Sequence, residues 1–406
     1  MGHLSLAPSN RRIRWLLRDE FRFARAAGSV NGTAAEPGPG TRTVVDTETK
    51  LSIASGALTI NGGKSTAAWG DPAINYPVIA RVAGTLGLWS FNSDSVAANK
   101  ELIIGFDDAV HGTNGRAIVY MIAGVIRANA VAATCGAYSA STTYQIAIAL
   151  RATGHFVFIK GGAFTTWTLL WPGTVSSTSN LYRLISNKNA VGTYDFIRQP
   201  SRLWLPIPIA SDGFPTAFGT TDGTGHVETT GLGAGGAGKT WTQKLGTWGI
   251  SSGKANCSEL DGTENIGAAT VDCGTADVII SVGVTRAAGA AGLVLRYTDA
   301  DNFLYAYHDG TNAALIEIVA GTPANVVAAT VATYSAGADV RVALYGTKAR
   351  LFYNNVLIGA EGTTNITTGN AHGLWTNNIG PTLDNFMVYA RGTGGEYSYL
   401  DRFLSP

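Results

Sequence analysis

Between Gly292 and Asn312 the chain reads GLVLRYTDADNFLYAYHDGTN, two alternating apolar runs joined by the turn cluster Thr298, Asp299, Ala300, Asp301 and Asn302. Leu293, Leu295 and Tyr297 fall on one face of the first run, with Val294 and Arg296 on the other, the period of two that a half-buried strand requires. Phe303, Tyr305 and Tyr307 repeat that period after the turn, so the stretch is predicted to be an antiparallel hairpin. Runs of the same kind, rich in β-branched and aromatic residues, recur along the chain between Gly, Asn, Asp and Thr turns. Helical periodicity is almost absent, and the expected class is all-β.

The pattern is duplicated. Asp19, Glu20 and Phe21, a Gly/Pro-rich loop and LSIASGALTI are answered by Asp212, Gly213 and Phe214, a Gly-rich loop and WGISSGKANC. This alignment sets Ile53, Ser55 and Gly56 over Ile250, Ser252 and Gly253, with Leu51 in the place of Trp248. Further on, VIARV (78–82) answers VIISV (278–282), GLWSFNSD (87–94) answers GLVLRYTD (292–299), and Gly112 to Asn114 answer Gly310 to Asn312. The longest match sets QIAIALRATGHFVFIKG (145–161) over DVRVALYGTKARLFYNN (339–355), each a strand, a turn and a second strand. A repeat of this length is right for a complete sandwich domain and too long for a solenoid unit. The expected organisation is an N-terminal arm over 1–13, one domain over 14–205, a second over 206–393 and a C-terminal tail over 394–406. Pro206 and Pro208 mark the short apolar linker.

Composition narrows the range of partners. Of 406 residues 14% are charged, against roughly 25% in ordinary soluble domains. The formal net charge of +1 offers no field for nucleic acid or an anionic membrane, and no apolar run is long enough for a spanning helix. The first residues lack the apolar segment of a secretory signal. Cys135, Cys257 and Cys273 show no metal-ligand spacing; free thiols are expected, with a Cys257–Cys273 bridge as the alternative. Arg11, Arg12, Arg14 and Arg18, concentrated around Trp15, Leu16 and Leu17, suggest an arm that docks on another subunit. The other readings are a frayed terminus, or a first strand over 13–17.

The opening Asp/Phe pair, the GTWGI run, the GLVLRYTDADNF and VALYGTKARLFYNN hairpins and the closing LDNFMVYA strand together resemble concanavalin A-like, laminin-G-type jelly rolls. The resemblance covers most of 209–392 and, more faintly, 14–205. It implies two tandem jelly-roll β-sandwich domains, a fold used for glycan binding, adhesion and some glycosidases; fold does not fix function.

A glycosidase on such a fold needs two carboxylates close together, and laminarinase-like members carry a Glu, Asp, Glu set at alternating strand positions. Glu317 stands alone, and Asp107 and Asp108 are adjacent and point to opposite faces, so the chain is expected not to be an enzyme. Calcium is the one cofactor considered: Asp299, Asp301, Asn302 and Asp309 supply hard oxygens, against the alternative of ordinary Asx turns. Trp69, Trp167 and Trp171 lie in or beside loops and are the candidate sugar-stacking residues, with core packing as the competing role; Trp248 and Trp375 are expected in the core.

A neutral, Gly/Thr-rich sandwich chain without a secretory signal suits a virion component, as a tail, fibre or capsid decoration protein. Its expected partners are other virion subunits or copies of itself and a cell-surface glycan, and its expected location is the virion or an extracellular surface. A bacterial surface carbohydrate-binding protein is the second expectation, and a glycoside hydrolase with unrecognised carboxylates the third.

Overall fold

The computed structural model describes residues 13–62, 71–98, 100–108, 117–128, 134–151, 154–173, 180–206, 208–214, 239–391, 397, 400, 401 and 404, with only the backbone at 117, 128, 134, 135 and 171–173. The chain divides into two compact units, Met1–Leu205 with Ser398–Pro406, and Pro206–Tyr397. The final residues, expected as a separate tail, thus return to the first unit: Leu400 is fully buried, and the Asp401 carboxylate accepts hydrogen bonds from Lys160 Nζ (2.7 Å) and Trp167 Nε1 (3.0 Å).

The strands of the first unit are β1 (Trp15–Asp19), β2 (Thr43–Val45), β3 (Leu51–Ala54), β4 (Ala57–Asn61), β5 (Ala73–Asn75), β6 (Leu86–Ser93), β7 (Glu101–Asp107), β8 (Ala117–Ile122), β9 (Val125–Ala128), β10 (Thr134–Ala137), β11 (Thr143–Arg151), β12 (Gly154–Gly161), β13 (Phe164–Gly173), β14 (Tyr182–Lys188), β15 (Val191–Tyr194) and β16 (Ile197–Pro200). Those of the second are β17 (Ala210–Asp212), β18 (Thr242–Leu245), β19 (Thr247–Ser251), β20 (Lys254–Glu259), β21 (Gly267–Asp272), β22 (Val278–Thr285), β23 (Ala291–Asp299), β24 (Asn302–His308), β25 (Asn312–Val319), β26 (Thr322–Val331), β27 (Ala338–Tyr345), β28 (Lys348–Tyr353), β29 (Val356–Thr363), β30 (Ala371–Thr376) and β31 (Thr382–Ala390).

Each unit is a jelly-roll sandwich of two antiparallel sheets, and the two share one topology. In the first unit the sheets run β13-β12-β11-β6-β15-β4-β3, with β16 on β6 and β1 on β16, and β10-β9-β8-β7-β14-β5-β2. In the second they run β29-β28-β27-β22-β31-β20-β19, with β17 on β31, and β26-β25-β24-β23-β30-β21-β18. The β11–β12 hairpin therefore occupies the place of β27–β28, as the sequence match predicts. Likewise the β3–β4 and β19–β20 turns share one backbone conformation, with Ser55 and Gly56 at φ 51° and 78° and Ser252 and Gly253 at φ 52° and 74°. That left-handed pair is what a two-residue hairpin turn demands.

Two of the sequence pairings are corrected. The strand in the place of β22 is β6, not VIARV, which makes only an isolated bridge at Ile79. GLWSFNSD therefore answers VIISV, and β7 answers β23. Consecutive buried strands have the same apolar alternation, so pattern matching alone slips by one strand.

The core of the second unit lies between its sheets. Val278, Ile280, Val282 and Val284 from β22 and Val340, Val342 and Leu344 from β27 meet Leu293, Leu295, Leu304 and Leu374 from the facing sheet, with Trp248 closing one side as expected. Each unit opens on the same device. Asp19 Oδ1 accepts the Phe21 amide (3.1 Å) and Asp212 Oδ1 the Phe214 amide (2.7 Å), holding both phenylalanines at φ 49° and fully buried. The second oxygen is satisfied differently, by Arg42 Nε (2.6 Å) and Tyr76 Oη (2.8 Å) in the first unit and by Trp241 Nε1 (3.0 Å) in the second. Cys257 and Cys273 are buried free thiols; burial pushes Cys257 up to about 11.

Residues 1–12 of the expected arm lie outside the described residues. The rest of the basic stretch is built into the first unit: β1 pairs with β16, Leu17 is fully buried, and Arg18 pairs with Glu20 (2.6 Å). Ile13 to Leu17 thus leads into the first strand rather than standing apart from the domain.

This core generates two expected outcomes. Leu344→Ala, which removes a side chain wedged between the sheets, is expected to cost about 2–5 kcal/mol in denaturant unfolding, and a loss under about 0.5 kcal/mol would refute the register. His372 is fully buried, its Nδ1 accepting the Arg296 amide (3.3 Å) and its Nε2 donating to the Thr275 carbonyl (3.0 Å). Burial first, and the Arg296 charge after it, lower its pKa to about 4, while burial with Arg81 and Arg151 lowers His155 to about 3. Because the unfolded chain takes up these protons near pH 6.5 and the folded chain resists them, stability is complete above about pH 6.5 and is lost as pH falls toward 4. Melting temperature measured from pH 7.5 to 4 should decline over that window, and less steeply in His372→Gln.

Candidate functional site

The outward face of the β18–β26 sheet, turned away from the core, carries a ridge of aromatic rings. Alternation along β24 sends Leu304 and Ala306 inward and Phe303, Tyr305 and Tyr307 outward. Trp375 from β30 and Tyr297 from β23 complete the row. Tyr305 stacks on Trp375 with centroids 4.5 Å apart and planes 23° from parallel. Tyr307 lies 5.9 Å from Tyr305 and 5.7 Å from Trp375, Phe303 5.9 Å from Tyr305, and Tyr297 5.6 Å from Phe303. Gly292 sits in register between Trp375 and Tyr307, so the two rings close over a position without a side chain. A Cβ there would stand 2.1 Å from the Ala306 carbonyl oxygen.

Phe303 and Trp375 are buried and form the floor, whereas Tyr305 and Tyr307 are half-buried. Burial raises the pKa of both tyrosines, which keeps their hydroxyls protonated and able both to donate and to accept. The rim is polar: Thr242 and Asn325 are exposed on the flanking strands, and Lys244 Nζ stands 5.8 Å from the Tyr297 ring centroid.

Tyr297 reaches this face through a break in the strand's period. The sequence alternation sets it with Leu293 and Leu295; in the structure it lies on the Val294 side, because the pairing register shifts after Leu295 and Arg296 adopts φ 48°. The bulge turns the Arg296 side chain into the protein, fully buried, where Nε donates to the Ala276 carbonyl (3.0 Å), Nη1 to those of Gly346 (2.8 Å) and Ile366, and Nη2 to the Asp277 carboxylate (2.9 Å). Trp375, expected in the core, likewise belongs to the outward ridge. Its neighbour Leu374 takes the core position.

The same face of the first unit is built differently. Ile103, Ile118 and Leu184 form an apolar patch with Tyr120 beside it, and on the same strand face Glu101 pairs with Lys188 (3.2 Å). Burial, then Asp107 and Glu101, push the Tyr120 hydroxyl up to about 12. Glu101 and Asp107 share this face but are separated by six residues of strand, about 20 Å, too far apart to act on one bond. Glu317 is a structural tie, accepting from Thr364 Oγ1 (2.9 Å), Asn365 N (2.8 Å) and Asn365 Nδ2 (2.7 Å).

The residues singled out from the sequence are dispersed. Trp69 lies outside the described residues; Trp171 falls on β13, opposite Val157. Trp167 is 3% exposed and bonded to Asp401, so it presents no open ring face. Asp299, Asp301 and Asn302 meet in the β23–β24 turn, but Asp309 stands at the other end of β24, so the four calcium candidates do not converge. Two of the carboxylates cap their own turns: Asp299 Oδ1 accepts from Asp301 N (2.9 Å) and Asn302 Nδ2 (2.9 Å), and Asp309 Oδ1 from Thr311 N (2.8 Å) and Asn312 N (2.7 Å). These are Asx turns and do not fit a calcium cage. No group of three or more His, Cys, Asp or Glu side chains is arranged to hold a metal among the described residues. Sequence reasoning missed the ridge, although Phe303, Tyr305 and Tyr307 at alternate positions were its visible signal.

No protein family and no curated protein matches the chain. Among solved structures it is similar to the carbohydrate-binding module CBM66 from Bacillus subtilis, at 16% identity and a TM-score of 0.29 over 37% of this chain and 95% of that one. A β-1,3-glucanase from Mycobacterium marinum matches at 12% identity and a TM-score of 0.27, over 46% of this chain and 98% of that one. The GH43 protein BlXynB from Bacillus licheniformis matches at 12% identity and a TM-score of 0.33, over 87% and 75%. These are likenesses of fold, and they transfer no residue roles. The expectation that the chain is not an enzyme is corrected to this extent: the solved structures it is similar to include proteins described as a β-1,3-glucanase and as glycosyl hydrolases.

Proposed function

We propose that the second unit binds carbohydrate on the outward face of its β18–β26 sheet. One observation carries the reading: a row of five aromatic rings on a sheet face that takes no part in the inter-sheet core, with Tyr305 and Tyr307 half-buried over a buried floor of Tyr297, Phe303 and Trp375. Apolar C–H faces of sugars stack on such rings, while the Tyr305 and Tyr307 hydroxyls and the exposed Thr242 and Asn325 suit sugar hydroxyls. A setting on a virus-like particle or a cell surface is the finer part of the proposal. It is supported by the sparsely charged composition and by the basic start around Arg11 and Arg12, and co-sedimentation with particles tests it.

In pull-downs with insoluble polysaccharides, Tyr307→Ala should weaken binding about tenfold, the equivalent of about 1.4 kcal/mol, while leaving the melting temperature within a few degrees of the parent. Unchanged retention by the variant, or a parent that binds no polysaccharide, would remove the ridge from consideration. Calcium has no part in this reading. Adding millimolar calcium to chelator-treated protein should leave the melting curve in place, and an upward shift would reinstate a site in the folded state.

A further inference from the structure

The ridge has a length, a direction and a charge, and together they specify its ligand more closely than stacking alone, provided that the second unit binds carbohydrate as proposed. Tyr305 and Tyr307 occupy alternate positions of one strand with ring centroids 5.9 Å apart, and the buried Phe303 ring lies 5.9 Å further along, so the two half-buried rings offer positions for linked pyranose rings rather than for one. Trp375 flanks the middle of that line, stacked on Tyr305, and Tyr297 extends it beyond Phe303. Both ends of β24 run into tight turns, Asp299 to Asn302 and Asp309 to Asn312, tied down by their own backbone hydrogen bonds.

The charges beside this line are mostly negative. Asp299 follows Tyr297 by two positions on β23, Asp272 lies in the same cross-strand row as Ala371 and Tyr297, and Asp309 follows Tyr307 by two. Two cations stand near the same end, Lys244 over the Tyr297 ring and Lys239, whose Nζ donates to the Asp272 carbonyl (2.6 Å). Asp272 and Asp299 are exposed and Asp309 half-buried, and carboxylates so placed repel an anion over roughly a Debye length, about 8 Å at physiological salt.

We infer that the ridge takes a run of linked, uncharged pyranose rings lying along β24, in preference to a single sugar, and that it turns away glycans bearing carboxylates. Successive rings of the chain meet Tyr305 and Tyr307, the two half-buried positions of the line. An unbranched, extended β-1,4-linked glucan presents flat apolar faces in a straight line and is the matching geometry, whereas a uronic-acid chain brings its charge against Asp272, Asp299 and Asp309.

Isothermal titration of the full chain with β-1,4-linked glucose oligomers of one to six units, and with galacturonic-acid oligomers of the same lengths, tests this. Affinity should rise about tenfold from one ring to two and level off beyond three. Uronic-acid oligomers should bind at least about tenfold more weakly at low salt, and the gap should narrow in about 0.5 M NaCl. Tyr305→Phe, which keeps the ring, should retain the length dependence, and Tyr305→Ala should abolish it. Glucose binding as tightly as the hexamer, or uronic-acid oligomers binding as tightly as neutral ones, would overturn the inference and leave the carbohydrate reading standing. Absence of binding to both series would overturn the inference too; whether the platform falls with it is decided by the insoluble polysaccharides, which the parent must then also fail to retain.

Discussion

The buried guanidinium of Arg296 fixes how the second unit divides inside from outside. It reaches three backbone carbonyls, on Ala276, Gly346 and Ile366, and the Asp277 carboxylate, which in turn accepts the Gly346 amide (2.9 Å). A charge fully removed from water is tolerated only with this many partners. Meeting them requires the strand to bulge at φ 48°, and the bulge reverses the faces of β23 beyond it. Leu293 and Leu295 stay between the sheets, while Tyr297 crosses to join the aromatic ridge. His372, whose Nδ1 accepts the Arg296 amide, belongs to the same arrangement; protonating it would turn that acceptor into a donor facing a donor.

The two units show how one topology accommodates different surfaces. Their strand orders correspond position by position, and the Asp19–Phe21 and Asp212–Phe214 closures repeat to the dihedral angle. What differs is the outward face of the second sheet: Ile103, Ile118 and Leu184 with the Glu101–Lys188 pair in the first unit, stacked aromatic rings in the second. The inner faces are held by packing against the opposite sheet, where a change of volume is felt at once. Outward positions carry no such constraint, which leaves them open to acquire a binding surface.

The chain alone determined the all-β class, the duplication, the break between the units near Pro206 and the identity of the inter-sheet residues such as Val342 and Leu344, because each is written in local alternation and in repetition along the chain. The correspondence of Ser55–Gly56 with Ser252–Gly253 was equally legible, and the two pairs share one backbone conformation. The tertiary structure alone decided the register of the repeat around β6, the crossing of Tyr297, the outward placement of Trp375 and the return of Leu400 and Asp401 to the first unit. It also decided that Asp309 stands apart from Asp299 and Asp301, since the strand β24 lies between them. The physical reason is common to all of these: a period of two says that a residue changes face, but which face is outside, and where a bulge reverses it, is set by hydrogen bonds such as those of Arg296, made to groups distant along the chain.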